Sequence, residues 1–152
     1  MTVLGKKVAD FTAPATGGEF KLSAHKGETV VLYFYPKDNT PGCTTEGEQF
    51  RDASAKFRKA GAIIVGCSRD SLKSHDNFKA KMGFPFDLIA DTDEKLCAQF
   101  DVIKMKNMYG KQVRGIVRST FLIGPDRTLL QEWRGVKVPG HVDADMASVQ
   151  AL

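Results

Sequence analysis

Apolar residues run almost unbroken through Thr29-Val30-Val31-Leu32-Tyr33-Phe34-Tyr35, the pattern of a strand buried on both faces of a sheet. From Thr44 to about Ala60, Phe50, Ala53 and Phe57 recur at helical spacing, and Gly61 supplies the stop. A second apolar run follows in Ala62-Ile63-Ile64-Val65-Gly66-Cys67, so this part of the chain predicts strand, helix, strand. Asp70 or Ser71 stands where it can cap a helix carrying Leu72, Phe78 and Met82, which Gly83 and Pro85 terminate. A short helix is expected from about Thr92 to Phe100. Nearer the C-terminus, Ile116 to Ile123 and Thr128 to Arg134 read as two strands joined by the turn Gly124-Pro125-Asp126-Arg127. A last helical pattern, Val142, Met146 and Val149, opens after Pro139-Gly140, whereas the segment before Thr29, with Pro14 and Gly17-Gly18, reads as irregular. The elements add up to the α/β class, a central mixed β-sheet flanked by helices on both faces.

Composition narrows this further. With 152 residues, 42% of them hydrophobic and 26% charged, residues 1–152 read as one domain whose core needs no staples. No repeat or linker interrupts it. No apolar run reaches the length of a membrane span and the first residues lack a signal-peptide pattern, so the expected location is the cytoplasm, with no membrane partner. The net charge of +4 comes from scattered Lys and Arg with no basic run interleaved with aromatics, which argues against nucleic acid. Three cysteines, Cys43, Cys67 and Cys97, are an odd number without a CxxC pair, which argues against a disulfide framework and a zinc knuckle alike.

Cys43 stands apart from the other two. It lies in Tyr35-Pro36-Lys37-Asp38-Asn39-Thr40-Pro41-Gly42-Cys43-Thr44-Thr45-Glu46, a polar turn that leads from the first strand onto a helix start. A free thiol has a pKa of about 8.5, and unpaired N–H groups at a helix N-terminus favour its anion. Pro36 and Pro41 stiffen the turn, Gly42 leaves room beside the sulfur, and the Thr40 hydroxyl can donate to or accept from a thiolate or a bound oxygen. The setting predicts a surface or pocket-floor position rather than the core. Cys67 and Cys97, among apolar neighbours, are expected in the core.

Arg118 is the second candidate, a charge within Ile116-Val117-Arg118-Ser119-Thr120-Phe121-Leu122-Ile123. Alternation puts Ile116, Arg118, Thr120 and Leu122 on one face, where a cation would need a partner and could keep a thiolate ionised. A strand-end arginine that snorkels to solvent accounts for the pattern equally well. His25, His75 and His141 read as surface residues with no metal-ligating spacing. Asp91, Asp93 and Glu94 read as caps of the following helix, and Trp133 as a packing residue.

At Pro36-x-x-x-Thr40-x-x-Cys43 the chain resembles the peroxiredoxins. With Tyr33-Phe34-Tyr35-Pro36 and Thr40-Pro41-Gly42-Cys43-Thr44 it is similar to their bacterioferritin-comigratory, or peroxiredoxin Q, branch. The resemblance extends from Asp10-Phe11 through Leu22, Gly27, Ser68-Arg69-Asp70 and Asp91 to Phe100, as far as the Arg118-to-Ile123 segment. It implies a thioredoxin-like fold and a peroxidase for hydrogen peroxide and organic hydroperoxides, with no metal or organic cofactor. It further implies that Cys43 is the peroxidatic nucleophile and that Thr40 orients peroxide. Arg118 would stabilise the thiolate, Pro36 shield the pocket and Glu46 hold Arg118. Some members carry a resolving cysteine five residues after the first, where this chain has Glu48, or in the next helix, where Ser71 to Met82 has none. Cys97 matches a position often cysteine in the family without being the resolving thiol. A one-cysteine cycle is therefore expected, recycled by thioredoxin, by glutathione with glutaredoxin or by another small thiol, in a monomer or weak dimer.

Two other classes compete. In one, oxidised Cys43 forms a mixed disulfide with a partner protein and serves as a redox-sensing relay. The other, a thioredoxin-like disulfide oxidoreductase, wants a CxxC pair, and the residues three either side of Cys43 are Thr40 and Glu46.

Overall fold

The computed structural model describes residues 2–152. The buried strand Thr29–Phe34 (β3) lies in the interior of a seven-stranded sheet. It pairs in parallel with Ala62–Ser68 (β4), which pairs in parallel with Asp87–Ala90 (β5). On its other side β3 pairs antiparallel with Ser119–Ile123 (β8), and β8 with Leu129–Arg134 (β9). A hairpin of Thr12–Ala15 (β1) and Gly18–Lys21 (β2) closes the far edge, giving the order β2-β1-β5-β4-β3-β8-β9.

Alternation along β3 divides the core into two layers. Val30, Leu32 and Phe34 pack with Val65, Cys67, Phe121 and Ile123, beneath Lys95–Gln99 (α3) with its Leu96 and Cys97. Val31, Tyr33 and Tyr35 turn to the opposite face. There they meet Phe50 and Phe57 of Pro41–Lys59 (α1), Phe78 of Leu72–Met82 (α2), and Val142, Met146 and Val149 of His141–Gln150 (α4). Helices thus cover both faces, as the pattern predicts. Ser71 caps α2 by accepting from the Ser74 N–H at 3.1 Å, and Gly83 ends it in the left-handed region. Asp91 accepts from the Leu96 and Cys97 N–H groups at the start of α3. Half-buried Trp133 packs on the α1 layer. No helix among the described residues is long and apolar enough to cross a membrane.

Three expectations are corrected. The start is not irregular, because β1 and β2 pair over four residues each, too short a span for period-two alternation to stand out around Pro14. Ile116 to Ile123 is not one strand. Lys111–Ile116 (β7) pairs with Ile103–Met108 (β6) in a separate two-stranded sheet, and β8 begins only at Ser119. Ile116 consequently packs in the α3 layer, while Thr120 and Leu122 point to the α1 side. Finally, His75 and His141 are buried rather than at the surface, 0% and 6% exposed, because partners inside the protein take up their ring nitrogens.

Candidate active site

The β3–α1 connection turns the chain from the buried strand into the longest helix. Thr40 is the N-cap in extended backbone and Pro41 occupies the first helical position, where its missing N–H is no loss. Cys43 is therefore the third helical residue, within the turn whose N–H groups have no partner from the helix itself. It is 2% exposed, on the floor of the α1 layer, deeper than its polar neighbours suggest. The Thr40 hydroxyl donates to the Lys37 carbonyl at 2.8 Å, which folds the turn on itself.

Arg118 reaches this point from the break between β7 and β8. Its carbonyl accepts from the Val136 N–H at 2.9 Å, and its side chain follows Thr120 and Leu122 onto the α1 side. Nη2 donates to Cys43 Sγ at 3.4 Å and Nη1 to Glu46 Oε1 at 2.7 Å. Only 15% of the Arg118 side chain is exposed, so the snorkelling alternative is set aside. Glu46 lies one helical turn after Cys43 and is fully buried, and its Oε2 has no hydrogen-bond partner among the described residues. A Cβ on Gly42 would stand 3.1 Å from Arg118 Nη2, so the space that glycine leaves is filled by the guanidinium. Burial raises the Glu46 pKa against the opposing pull of Arg118. Burial also opposes the charge on Arg118, yet Glu46 and Cys43 beside it raise its pKa.

The structure thus brings Arg118 into contact with both Cys43 and Glu46, with Thr40 one turn ahead of the sulfur. Pro36 is half-buried on the same connection, just past β3. Cys67 and Cys97 lie in the α3 layer across the sheet, both 0% exposed. Burial pushes both thiols up, with Asp91 adding to the effect.

Sequence reasoning missed a largely buried cluster next to this connection. Asp38, Asp70 and His75 bring potential metal-ligating atoms within 4.8 Å of one another. Each already has hydrogen-bond partners: Asp38 accepts from Tyr35 and Ser74, Asp70 from Ser68 and the Asp38 N–H, and His75 pairs with Asp38. The available signal was helical spacing, since His75, Phe78 and Met82 share the inward face of α2.

A buried thiol in the first turn of a helix, with an arginine against its sulfur and a sheet of this topology behind it, defines a thiol-based redox enzyme of thioredoxin-like fold. The model of the AhpC/TSA family matches residues 4–131, and the chain belongs to that family, as a peroxiredoxin: a thiol peroxidase that consumes a peroxide and a thiol reductant. Peroxiredoxin Bcp of Xanthomonas campestris pv. campestris is 57% identical over 152 residues, covering 98% of this chain and 95% of the relative. Peroxiredoxin Bcp of Bacillus subtilis is 49% identical over 144 residues, covering 93% and 92%. Among solved structures, Xanthomonas campestris Peroxiredoxin Q matches with a TM-score of 0.88 at 58% identity over 93% of this chain and 90% of that one. Xylella fastidiosa PrxQ matches with a TM-score of 0.93 at 45% identity over 99% and 97%.

Proposed function

We propose that Cys43 is the peroxidatic nucleophile of a one-cysteine cycle. The observation that carries this reading is the Arg118 guanidinium 3.4 Å from Cys43 Sγ, braced by Glu46. A fixed cation at that distance favours the thiolate, the form that attacks. The sulfur attacks the terminal peroxide oxygen. An S–O bond forms as the O–O bond breaks, the sulfur is oxidised to sulfenic acid, and the departing oxide takes a proton from solvent to leave as water or alcohol. Arg118 stabilises charge on that oxygen. Thr40, its own proton committed to Lys37, accepts from the peroxide O–H and orients it. Pro36 screens the pocket from water.

An external thiol then attacks the sulfenic sulfur and releases water, and a second thiol frees Cys43 as the external disulfide forms. Support for outside recycling is the burial of Cys67 and Cys97 in the opposite core layer, together with glutamate at position 48. Organic hydroperoxides are included in the substrate class because a solved relative, 55% identical with a TM-score of 0.90, is described for alkyl peroxide reduction. The test is one equivalent of hydrogen peroxide in the presence of a sulfenic-acid trap, read by intact mass and peptide mapping. An adduct on Cys43, and loss of turnover in Cys43→Ser, is the expected result. Loss of two hydrogens without adduct would make this a two-cysteine enzyme, and turnover surviving in Cys43→Ser would remove Cys43 from the reaction.

A further inference from the structure

Of residues 35–40, which join β3 to α1, only Tyr35 and Asp38 are buried. Nearly all the tertiary hydrogen bonds of Pro36 to Thr40 converge on Asp38. Its Oδ1 accepts from the Tyr35 hydroxyl at 2.6 Å, its Oδ2 from Ser74 Oγ at 2.8 Å, and its N–H donates to Asp70 Oδ2 at 2.9 Å. Beyond these, Lys81 reaches Asn39 Oδ1 at a long 3.4 Å, while Thr40 is bonded within the turn. Asn39 next to it holds a φ of 64°, a left-handed conformation that a free chain would leave readily.

The partner of Asp38 is His75, fully buried in the second turn of α2. Nε2 lies 2.9 Å from the Ile89 carbonyl of β5, an oxygen that can only accept, so Nε2 carries hydrogen. Nδ1 lies 2.7 Å from Asp38 Oδ2, and both oxygens of that carboxylate already accept from hydroxyls. Both ring nitrogens thus face oxygen atoms, Asp38 on one side and the Ile89 carbonyl on the other, and the Asp38 contact is a short buried tie between the turn and α2. Burial works against the Asp38 charge, but hydrogen bonds from His75, Tyr35 and Ser74 hold its carboxyl below the usual range.

We propose that Asp38 and His75 are positioning residues: a latch that holds the Thr40-bearing turn and the start of α1 against α2, and whose release sets how readily an external thiol reaches oxidised Cys43. This rests on the reading of Cys43 and Thr40 given above. At 2% exposure Cys43 cannot be met by a second sulfur unless the turn opens, and opening must break the latch as well as the Arg118 contacts to Cys43 and Glu46. Closed, the same tie keeps Thr40 in register for peroxide. The latch therefore acts on the two half-reactions in opposite directions.

Asp38→Asn keeps the shape and removes the carboxylate charge, with His75 Nε2–H on Ile89 and Nδ1 accepting from the new amide. His75→Gln removes the ring. Val149→Ala, in the α4 core away from the turn, controls for lost global stability. Single-turnover oxidation by hydrogen peroxide and reduction by dithiothreitol are measured separately, with amide hydrogen exchange across residues 36–46. In both latch variants oxidation falls by about tenfold, the cost expected of small misplacements near reacting groups. Reduction accelerates, and exchange across 36–46 rises beyond the Val149→Ala level. Half-reactions that change only in step with Val149→Ala would overturn the latch. If Cys43→Ser still turned over peroxide, the reading of the active site would fail, while the exchange result would still decide whether the latch exists.

Discussion

Arg118 and Glu46 are 72 residues apart in the chain and meet at 2.7 Å, and this contact aims the other edge of the guanidinium at Cys43. A planar fork with one prong on a buried carboxylate cannot swing freely, so the ion pair converts a long flexible side chain into a fixed donor. Its worth lies in direction more than in net stability. Buried pairs gain little over well-packed apolar residues, yet removing one partner strands the other.

That asymmetry separates structure from chemistry. Arg118→Met leaves Glu46 buried without a cation and should lower unfolding stability by about 3–5 kcal/mol. It should also slow peroxide reduction by about 10²–10³-fold, as loss of a charge-stabilising donor does elsewhere. Adding Glu46→Gln removes the stranded charge and should restore part of the stability without restoring the rate. Urea unfolding and the second-order rate with hydrogen peroxide read the two effects apart; a rate that recovers with stability would mean that Arg118 only holds the fold.

Gly42 gives a finer probe of the same geometry. Its backbone needs no special φ, but a methyl group there would approach Arg118 Nη2 at 3.1 Å, and the guanidinium has little freedom to retreat while Glu46 holds its other edge. Gly42→Ala should therefore weaken the contact with Cys43 and slow oxidation, while leaving the unfolding midpoint near that of the wild type. Equal rates would show that the 3.4 Å contact has slack.

How much of this was legible in the sequence follows from what each residue depends on. The Cys43 turn was readable because Pro36, Thr40, Pro41 and Gly42 carry local backbone chemistry, and helix ends at Ser71, Gly83 and Gly140 were readable for the same reason. Arg118 was half legible. Its charge stood out against an apolar run, but the break at Val117 that turns Ile116 to the other layer is set by pairing with β6, which no local pattern reports. The β1–β2 hairpin and β5, four residues each, were too short for period two. His75 and His141 were misread as surface residues, because a polar ring at an inward helical position depends on partners distant in sequence: Asp38 and Ile89 for one, and Thr120, alongside Asp145 one turn on, for the other.

Cys67 and Cys97 should prove dispensable for chemistry. Both lie in the α3 layer, across the sheet from Cys43, with burial raising their pKa values and holding them as thiols. Cys67→Ser should cost about 1–3 kcal/mol for placing a hydroxyl in an apolar site, and Cys97→Ser less, because the Asp91 carboxylate beside it can accept from the new hydroxyl, yet both should keep the rate of peroxide reduction and the Cys43 adduct. Loss of recycling by dithiothreitol in Cys97→Ser alone would overturn the one-cysteine cycle.

Glu94 provides the pH test. Its carboxylate accepts both prongs of Arg114 on β7 at 2.7 Å and Arg69 at 3.0 Å, and these bonds hold its pKa down to about 2 from an ordinary 4.5. A carboxyl depressed by folding stabilises above its unfolded value, and that contribution is lost as pH falls from 4.5 through about 2. Glu94→Gln should remove this part of the acid dependence, so the variant and wild-type stability curves should converge as the pH falls through that window. The pair is part-exposed, so the difference should also shrink with salt. Because β7 leads within two residues to Arg118, the variant should show faster amide exchange across 103–116, and a slower peroxide step if the β6–β7 sheet helps to set the Arg118 backbone. Parallel stability curves would mean that the fork on Glu94 is too solvated to matter, and unchanged exchange would mean that the two-stranded sheet is held by the Lys106 contact to the Ile116 carbonyl and its own ladder instead.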